Sequence, residues 1–202
     1  MRLGPGDRLV LATHNKGKLE EISRLLEPFG VRVVSAGDLG LPEPAETEAT
    51  FVGNARIKAH ASAAVSGLPA LADDSGLCVE ALGGAPGVYT ADWATTETGR
   101  DFDQGMRRVW DALRAAKAAE PWRAAFHCTL VLAWPDGSDR VFEGSMQGRL
   151  IWPPRGDQGH GFDPMFVPVG QEITCGEMDR WEKNEVSHRA DAFRKLVTEC
   201  FA

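Results

Sequence analysis

The sequence predicts an α/β fold, a mixed β-sheet flanked by helices, and three observations predict it. Near the start, "DRLVLAT" is an aliphatic run that ends in a polar break, and "LEEISRLLEPFG" follows it with Leu19, Ile22 and Leu26 at helical spacing. In the middle, "DFDQGMRRVWDALRAAKAAE" carries Phe102, Met106, Val109, Trp110 and Leu113 on one apolar face. Beyond it, "WRAAFHCTLVLAW" and "RVFEGSMQGRLI" are strand patterns joined at a hairpin-like "PDGS". Strands and helices interleave without strict βαβ alternation, so the sheet is expected to be mixed.

The elements follow in order. "DRLVLAT" is a buried strand, and the helix after it ends at Pro28 and Gly30. "VRVVSA" is a second strand, and "DLGLPEPAETEA" is a Pro- and Glu-rich loop. Thr50 caps the helix "FVGNARIKAHASAAVS", which closes at Gly67 with Pro69 just beyond. Thr50, Asn54 and Lys58 share its polar face, and Ala55, Ala59 and Ala63 allow close packing beside it. "LPALAD" and "GLCVEAL" are expected to be short strands on either side of an acidic turn, "DDSG". "WPPRGDQGHGFDPMFVP" is a Gly- and Pro-rich loop leading to a short strand. Ser187 caps the last helix, whose buried side holds Phe193, Leu196 and Val197.

Composition narrows the function classes. The 202 residues suit one domain with a substantial core. A net charge of −7 argues against a general nucleic-acid binder, which needs a basic surface. No apolar run approaches a membrane span, and the first residues lack the apolar region of a signal peptide. The four cysteines show neither CxxC pairing nor zinc spacing, as expected for reduced thiols in a cytoplasmic protein.

Four segments carry candidate chemistry. "ATHNKGK" delivers Thr13, His14, Asn15, Lys16, Gly17 and Lys18 to a helix start, where free amides and the dipole suit a phosphate. It is not a Walker A loop, and an ordinary strand-to-helix connection is the alternative. Asp73 and Asp74, with Glu46 or Glu48, offer the hard oxygens that magnesium takes alongside substrate phosphates; the alternative is a solvated turn. Ser75 with His188 as base lacks a GxSxG elbow, so a serine hydrolase is set aside. "GHGFDP" offers the rings of His160 and Phe162 for stacking on a base, or simply a packed aromatic. Lys183, His188 and Arg189 place three donors near a helix start, where the dipole disfavours cations that serve no purpose.

Taken together and in this order, "LATHNKGK", "ETEATFVGNARIKA", "ALADDSGLCVEALGGAPGVYTADW", "PRGDQGHGFDPMF" and "EKNEVSHRADA" resemble the inosine/xanthosine triphosphate pyrophosphatase family. The resemblance implies an elongated, two-lobed structure with a central substrate cleft, paired as a homodimer. It implies Mg2+-dependent hydrolysis of ITP, dITP and XTP to the monophosphate and pyrophosphate. Carried onto this chain, residues 13–18 and Lys58 meet the phosphates, and Asp74 is the general base and a metal ligand. Glu46 is a further metal ligand and Ser75 a substrate contact. His160, Gly161, Phe162, Asp163, Lys183, His188 and Arg189 form the nucleoside pocket. A pyrophosphatase for another modified nucleotide and a catalytically silent nucleotide-binding protein are the competing readings.

The chain departs from the family pattern at several positions. His160-Gly161-Phe162 replaces Phe-Gly-Tyr or Phe-Gly-Trp, which removes a hydroxyl or indole donor. Gly53 stands where Glu is common and Glu48 where Gly is common, so the acidic ligands are rearranged. Asp92 replaces a commonly basic residue.

Overall fold

The computed structural model describes residues 2–201, apart from the side chains of Lys16, Arg180, Trp181 and Asn184. In chain order the elements are β1 (Arg8–Leu11), α1 (Lys16–Leu26), β2 (Arg32–Ser35), α2 (Phe51–Ser66), β3 (Ala70–Val79), α3 (Thr90–Trp93), β4 (Thr95–Thr96), β5 (Gly99–Arg100), α4 (Phe102–Ala115), β6 (Trp122–Ala133), β7 (Asp139–Leu150), β8 (Phe166–Pro168), α5 (Arg180–Val186) and α6 (His188–Cys200). Six strands form one sheet in the order β2-β1-β3-β6-β7-β8, and β4 pairs with β5 alone. β1 is parallel to both neighbours, with Val10 opposite Val34 and Ala70, whereas β7 and β8 are antiparallel. The sheet is therefore mixed, as expected. Because β2 and β3 lie on opposite sides of β1, the strand order reverses between β1 and β3, where α/β sheets place ligands.

The chain divides into two compact units. The first holds the residues up to Asp74, Thr129–Glu143 and those from Ala192 on; the second holds Ser75–Cys128 and Gly144–Asp191.

In the first unit, β1 alternates as a strand buried on both faces must. Val10 and Ala12 pack with Ala55, Ala59 and Ala63 of α2, together with Ala70, Ala72, Val131 and Ala133. Leu9 and Leu11, equally buried, take the opposite face. The alanine stripe lets α2 lie close to the sheet, so its neighbouring polar face is held near β3. Thr50 caps α2 by accepting from the Gly53 amide at 3.1 Å, and Gly67 closes it at φ +67°. On its outer side, Arg56 and His60 both reach Asp139 at the start of β7, at 2.9 and 2.8 Å. The second unit has its own core, in which Leu77 and Val79 meet Met106, Val109 and Leu113 of α4, with Phe126, Phe162 and Phe166 around them.

One local expectation is corrected. "DDSG" is not a turn: β3 runs unbroken from Ala70 through Asp73, Asp74, Ser75 and Gly76 to Val79. Turn propensity gives way because β3 is an interior strand of the sheet, between β1 and β6, and because Asp73 and Asp74 meet Lys18 and Lys58 there. Lys183 precedes the helix that begins at His188, as expected, and itself lies in a short helix, α5.

The exchange of residues at positions 48 and 53 has a steric basis. A Cβ on Gly53 would lie 2.5 Å from the Glu48 Cβ and 2.7 Å from its Cγ. Gly53→Ala is expected to destabilise the protein by about 1–3 kcal/mol through this overlap. In a Glu48→Gly background the same alanine is expected to cost less, with Thr50 Oγ1 at 3.0 Å left as the contact that must give way. Urea unfolding of the two single variants and the double variant measures the coupling.

Candidate active site

The site in the first unit begins with the alternation of β3. Asp73 and Asp74 follow one another in the strand, so their side chains leave on opposite faces. Both are buried, at 3% and 7% exposure, and a buried carboxylate needs a cation or directed donors. Asp73 meets Lys18 of α1, with Nζ 2.7 Å from Oδ2. Asp74 faces α2, where Lys58 Nζ stands 3.9 Å from its Oδ1 and Asn54 makes a side-chain hydrogen bond to it.

Lys18 is placed by a short relay. The Asn15 amide donates to Thr13 Oγ1 at 3.1 Å. The Asn15 side-chain oxygen then accepts from the Gly17 and Lys18 amides at 2.9 and 3.1 Å, capping α1. This corrects the expected phosphate cradle in one respect: two of the free amides assigned to a phosphate are taken by Asn15. His14 turns toward the next loop, where its Nε2 donates to the Leu41 carbonyl at 3.1 Å. The side chain of Lys16, named with this loop, lies outside the described ones.

Lys58 joins the remaining acid. Its Nζ lies 2.7 Å from Glu46 Oε1, so one ammonium bridges Glu46 and Asp74. Burial works against the Lys58 charge, but Asp73, Glu46 and Asp74 outweigh it and hold its pKa above the ordinary value. Asp74 answers mainly to burial, which pushes its pKa up to about 6; Lys58 pulls downward, Glu46 upward, and Asn54 and Lys18 downward. The charged form is thus favoured at Lys58, which has three acidic neighbours, and disfavoured at Asp74, where burial dominates.

Among the described residues no three His, Cys, Asp or Glu side chains stand at metal-holding spacing. The donor set still suits magnesium, which commonly takes one or two protein carboxylates and fills its shell with water and substrate phosphate. Glu46 and Asp74, already drawn to one cation, are the two carboxylates that fit.

The second unit assembles the late segments. Lys183 of α5 pairs with Asp163, which also accepts from the His160 amide at 2.6 Å. Gly159, at φ +79°, leaves room for this turn: a Cβ there would fall 2.2 Å from Asp163 Oδ2. Asp163 thus organises the loop while fixing Lys183. Ser187 accepts from the Ala190 amide at 3.1 Å and caps α6, as expected. His188 stacks on Phe126, with centroids 5.2 Å apart and rings inclined by 20°. Phe126 is itself packed on Phe166. Arg189 is half-buried beside it, and Gly161 continues the loop. Phe162 corrects the stacking expectation: at 2% exposure, edge-on to Phe102, its ring belongs to the core and the packed aromatic is what forms. His160 is the exposed ring of the pair.

The structure therefore brings Lys18, Lys58, Glu46, Asp73 and Asp74 together in one unit, and Asp163, Lys183 and His188 in the other. Ser75 follows Asp74 in β3, half-buried, and Asp92 is exposed on α3. A recess of about 810 Å³ in the second unit, lined in part by Arg123, His127 and Arg149, includes none of them. Two participants were not assigned to the site from sequence. Asn54 was legible as a neighbour of Lys58 on the polar face, but its contact with Asp74 was not. Phe126 carries no local signal, since it reads as one more apolar strand residue. All four cysteines are free thiols, and among the described residues no helix is long and apolar enough to cross a membrane.

A mixed sheet that sets paired carboxylates and lysines at its strand-order reversal defines the class: an α/β protein with a charged, ligand-ready site. The chain belongs to the Ham1 family, whose model matches residues 9–199. It is 65% identical over 196 residues to a dITP/XTP pyrophosphatase of Ruegeria pomeroyi, covering 97% of this chain and 96% of that protein. It is 54% identical to a protein of the same name from Rhodospirillum centenum, covering 98% and 96%. Among solved structures, the HAM1 protein of Coxiella burnetii superposes with a TM-score of 0.89 at 36% identity, covering 95% of this chain and 97% of that one.

The shift at Asp74 has a measurable sign. Its pKa is raised from 3.8 to about 6 on folding, so its contribution to stability is complete below 3.8 and is lost as pH rises through about 6. Asp74→Asn does not ionise and escapes that loss. In metal-free buffer the Tm of Asp74→Asn is expected to gain on the parent as pH rises from 3.8 through about 6, and to hold that gain above it. Paired thermal melts check this, and a constant difference would remove Asp74 as the titrating group.

Proposed function

We propose that this chain is a nucleoside triphosphate pyrophosphatase that hydrolyses the noncanonical purine nucleotides ITP, dITP and XTP to the monophosphate and pyrophosphate, clearing them from the nucleotide pool. The observation that carries the reading is the meeting of Asp73 with Lys18 and of Asp74 with Lys58 and Glu46. A buried carboxylate whose pKa is raised toward neutrality, set beside two lysines, suits a proton acceptor. Membership of the Ham1 family and the names of the curated relatives support it.

Mg2+ is the proposed cofactor, with Glu46 and Asp74 as its protein ligands; when bound it supplies charge neutralisation to the polyphosphate. Lys18 and Lys58 direct two ammonium groups toward the same phosphates, stabilising charge that develops as the bond breaks. Asp74 accepts a proton from the attacking water, the new bond forms at the α-phosphorus, and the α–β bridge oxygen leaves with pyrophosphate. Lys183, His188 and Arg189, with His160 and Asp163, are assigned to the nucleoside. A 6-oxo group accepts from such donors, whereas the amine of adenine would leave a donor unsatisfied, a mismatch that hydrogen-bonding sites reject strongly. Ser75 is assigned a substrate contact. We assign both units to one functional domain, in a cytoplasmic homodimer with no nucleic-acid or membrane partner.

Pyrophosphate release with Mg2+ is expected to be fast for ITP, dITP and XTP and slow for GTP, ATP and dUTP. Asp74→Asn is expected to lose nearly all turnover while still binding nucleotide. Turnover of dUTP or GTP at the ITP rate would overturn the substrate class, and an undiminished Asp74→Asn rate would overturn the mechanism. Size-exclusion chromatography with light scattering tests the dimer.

A further inference from the structure

We propose that Asn54 is a positioning residue for this reaction, tying the segment that carries Glu46 to α2 and keeping a neutral donor beside the Asp74 carboxylate. The inference rests on the role assigned to Asp74 above. Asn54 is 3% exposed, although nothing in a helix interior requires a buried carboxamide. Its Oδ1 accepts from the Glu48 amide at 2.9 Å, and its side chain also hydrogen-bonds Asp74. These two partners settle the amide orientation. A backbone N–H demands an acceptor and a carboxylate demands a donor, so the oxygen faces Glu48 and the NH2 faces Asp74.

Few side chains can replace it. Aspartate keeps the acceptor but has no donor for Asp74, and serine lacks the reach to serve both partners. The position along α2 adds a second reason. Asn54 and Lys58 lie one turn apart, and each touches both Asp74 and the acidic segment, Asn54 at the Glu48 backbone and Lys58 at the Glu46 carboxylate. Their contributions differ in kind. Lys58 brings charge to Glu46 and Asp74, whereas Asn54 brings a neutral donor and a direct hold on the Glu48 backbone. Asn54 therefore places the acidic segment beside the base, and Lys58 balances the charge.

The test uses the full chain with saturating Mg2+ and ITP, measuring pyrophosphate release and thermal melting for Asn54→Asp and Asn54→Ser. Both variants are expected to lower kcat about 10- to 100-fold, as loss of an orienting partner does. KM should stay within about threefold, since Lys18 and Lys58 still meet the phosphates. Agreement between a charged and an uncharged replacement separates the lost hydrogen bond from an added charge, and if Asn54→Asp fails to fold, Asn54→Ser decides alone. A purely structural role would lower Tm and leave kcat of the folded protein unchanged, and that result would overturn the inference. Wild type and Asp74→Asn are run alongside. If wild type is active, Asp74→Asn is silent and the Asn54 variants keep their kcat, only the Asn54 role fails. If Asp74→Asn keeps the wild-type rate, the reading beneath it fails instead.

Discussion

Two buried negative charges on consecutive residues of a central strand form the constraint on which the first unit depends. Alternation turns Asp73 and Asp74 to different sides of the strand, so each is contacted by a different lysine, although Lys58 also feels the Asp73 charge and Lys18 the Asp74 charge. Each must be met by its own element, and a buried carboxylate that lost its partner would cost several kcal/mol. That requirement explains why α1 begins where Lys18 can descend on Asp73, with Asn15 rather than an outside anion closing the first turn. It explains equally why α2 lies close to the sheet on a stripe of alanines: a bulkier face would lift Lys58 and Asn54 away from Asp74.

The second unit solves a different problem by different means. It holds its polar groups in two ways, His188 by packing and Lys183 by an ion pair. His188 keeps its ring plane by lying on Phe126, which is braced by Phe166, so an aromatic core sets the angle of a polar group at its edge. Lys183 is held by Asp163, whose other contact closes the glycine-rich loop. Loop and helix are thereby fastened through one carboxylate.

Much of this was legible in the sequence, and the exceptions have physical causes. The capped helix from Phe51, its alanine stripe and its close at Gly67 follow from residue type and spacing, which act locally. The sharing of one face by Thr50, Asn54 and Lys58 was legible for the same reason. The strand through Asp73 and Asp74 was not, because Asp, Ser and Gly favour turns when considered alone. Only pairing with flanking strands, a tertiary effect, overrides them. Phe162 was open between stacking and packing on similar grounds: an aromatic in a Gly-rich loop gives no sign of whether it points into solvent or into the core. The family resemblance supplied the grouping of distant segments. It did not supply the bridging of Glu46 and Asp74 by one lysine, or the link from Asn54 to both the strand and the loop.

The overlap between positions 48 and 53 ties the loop before α2 to the first turn of that helix. A Cβ at 53 would enter the stem of residue 48, so a side chain at the helix entrance requires the loop acid to shrink or shift. The loop has little freedom to step aside, because the Glu48 amide is itself held by Asn54. Each of the two positions therefore limits what the other can carry, and they accept change as a pair rather than singly.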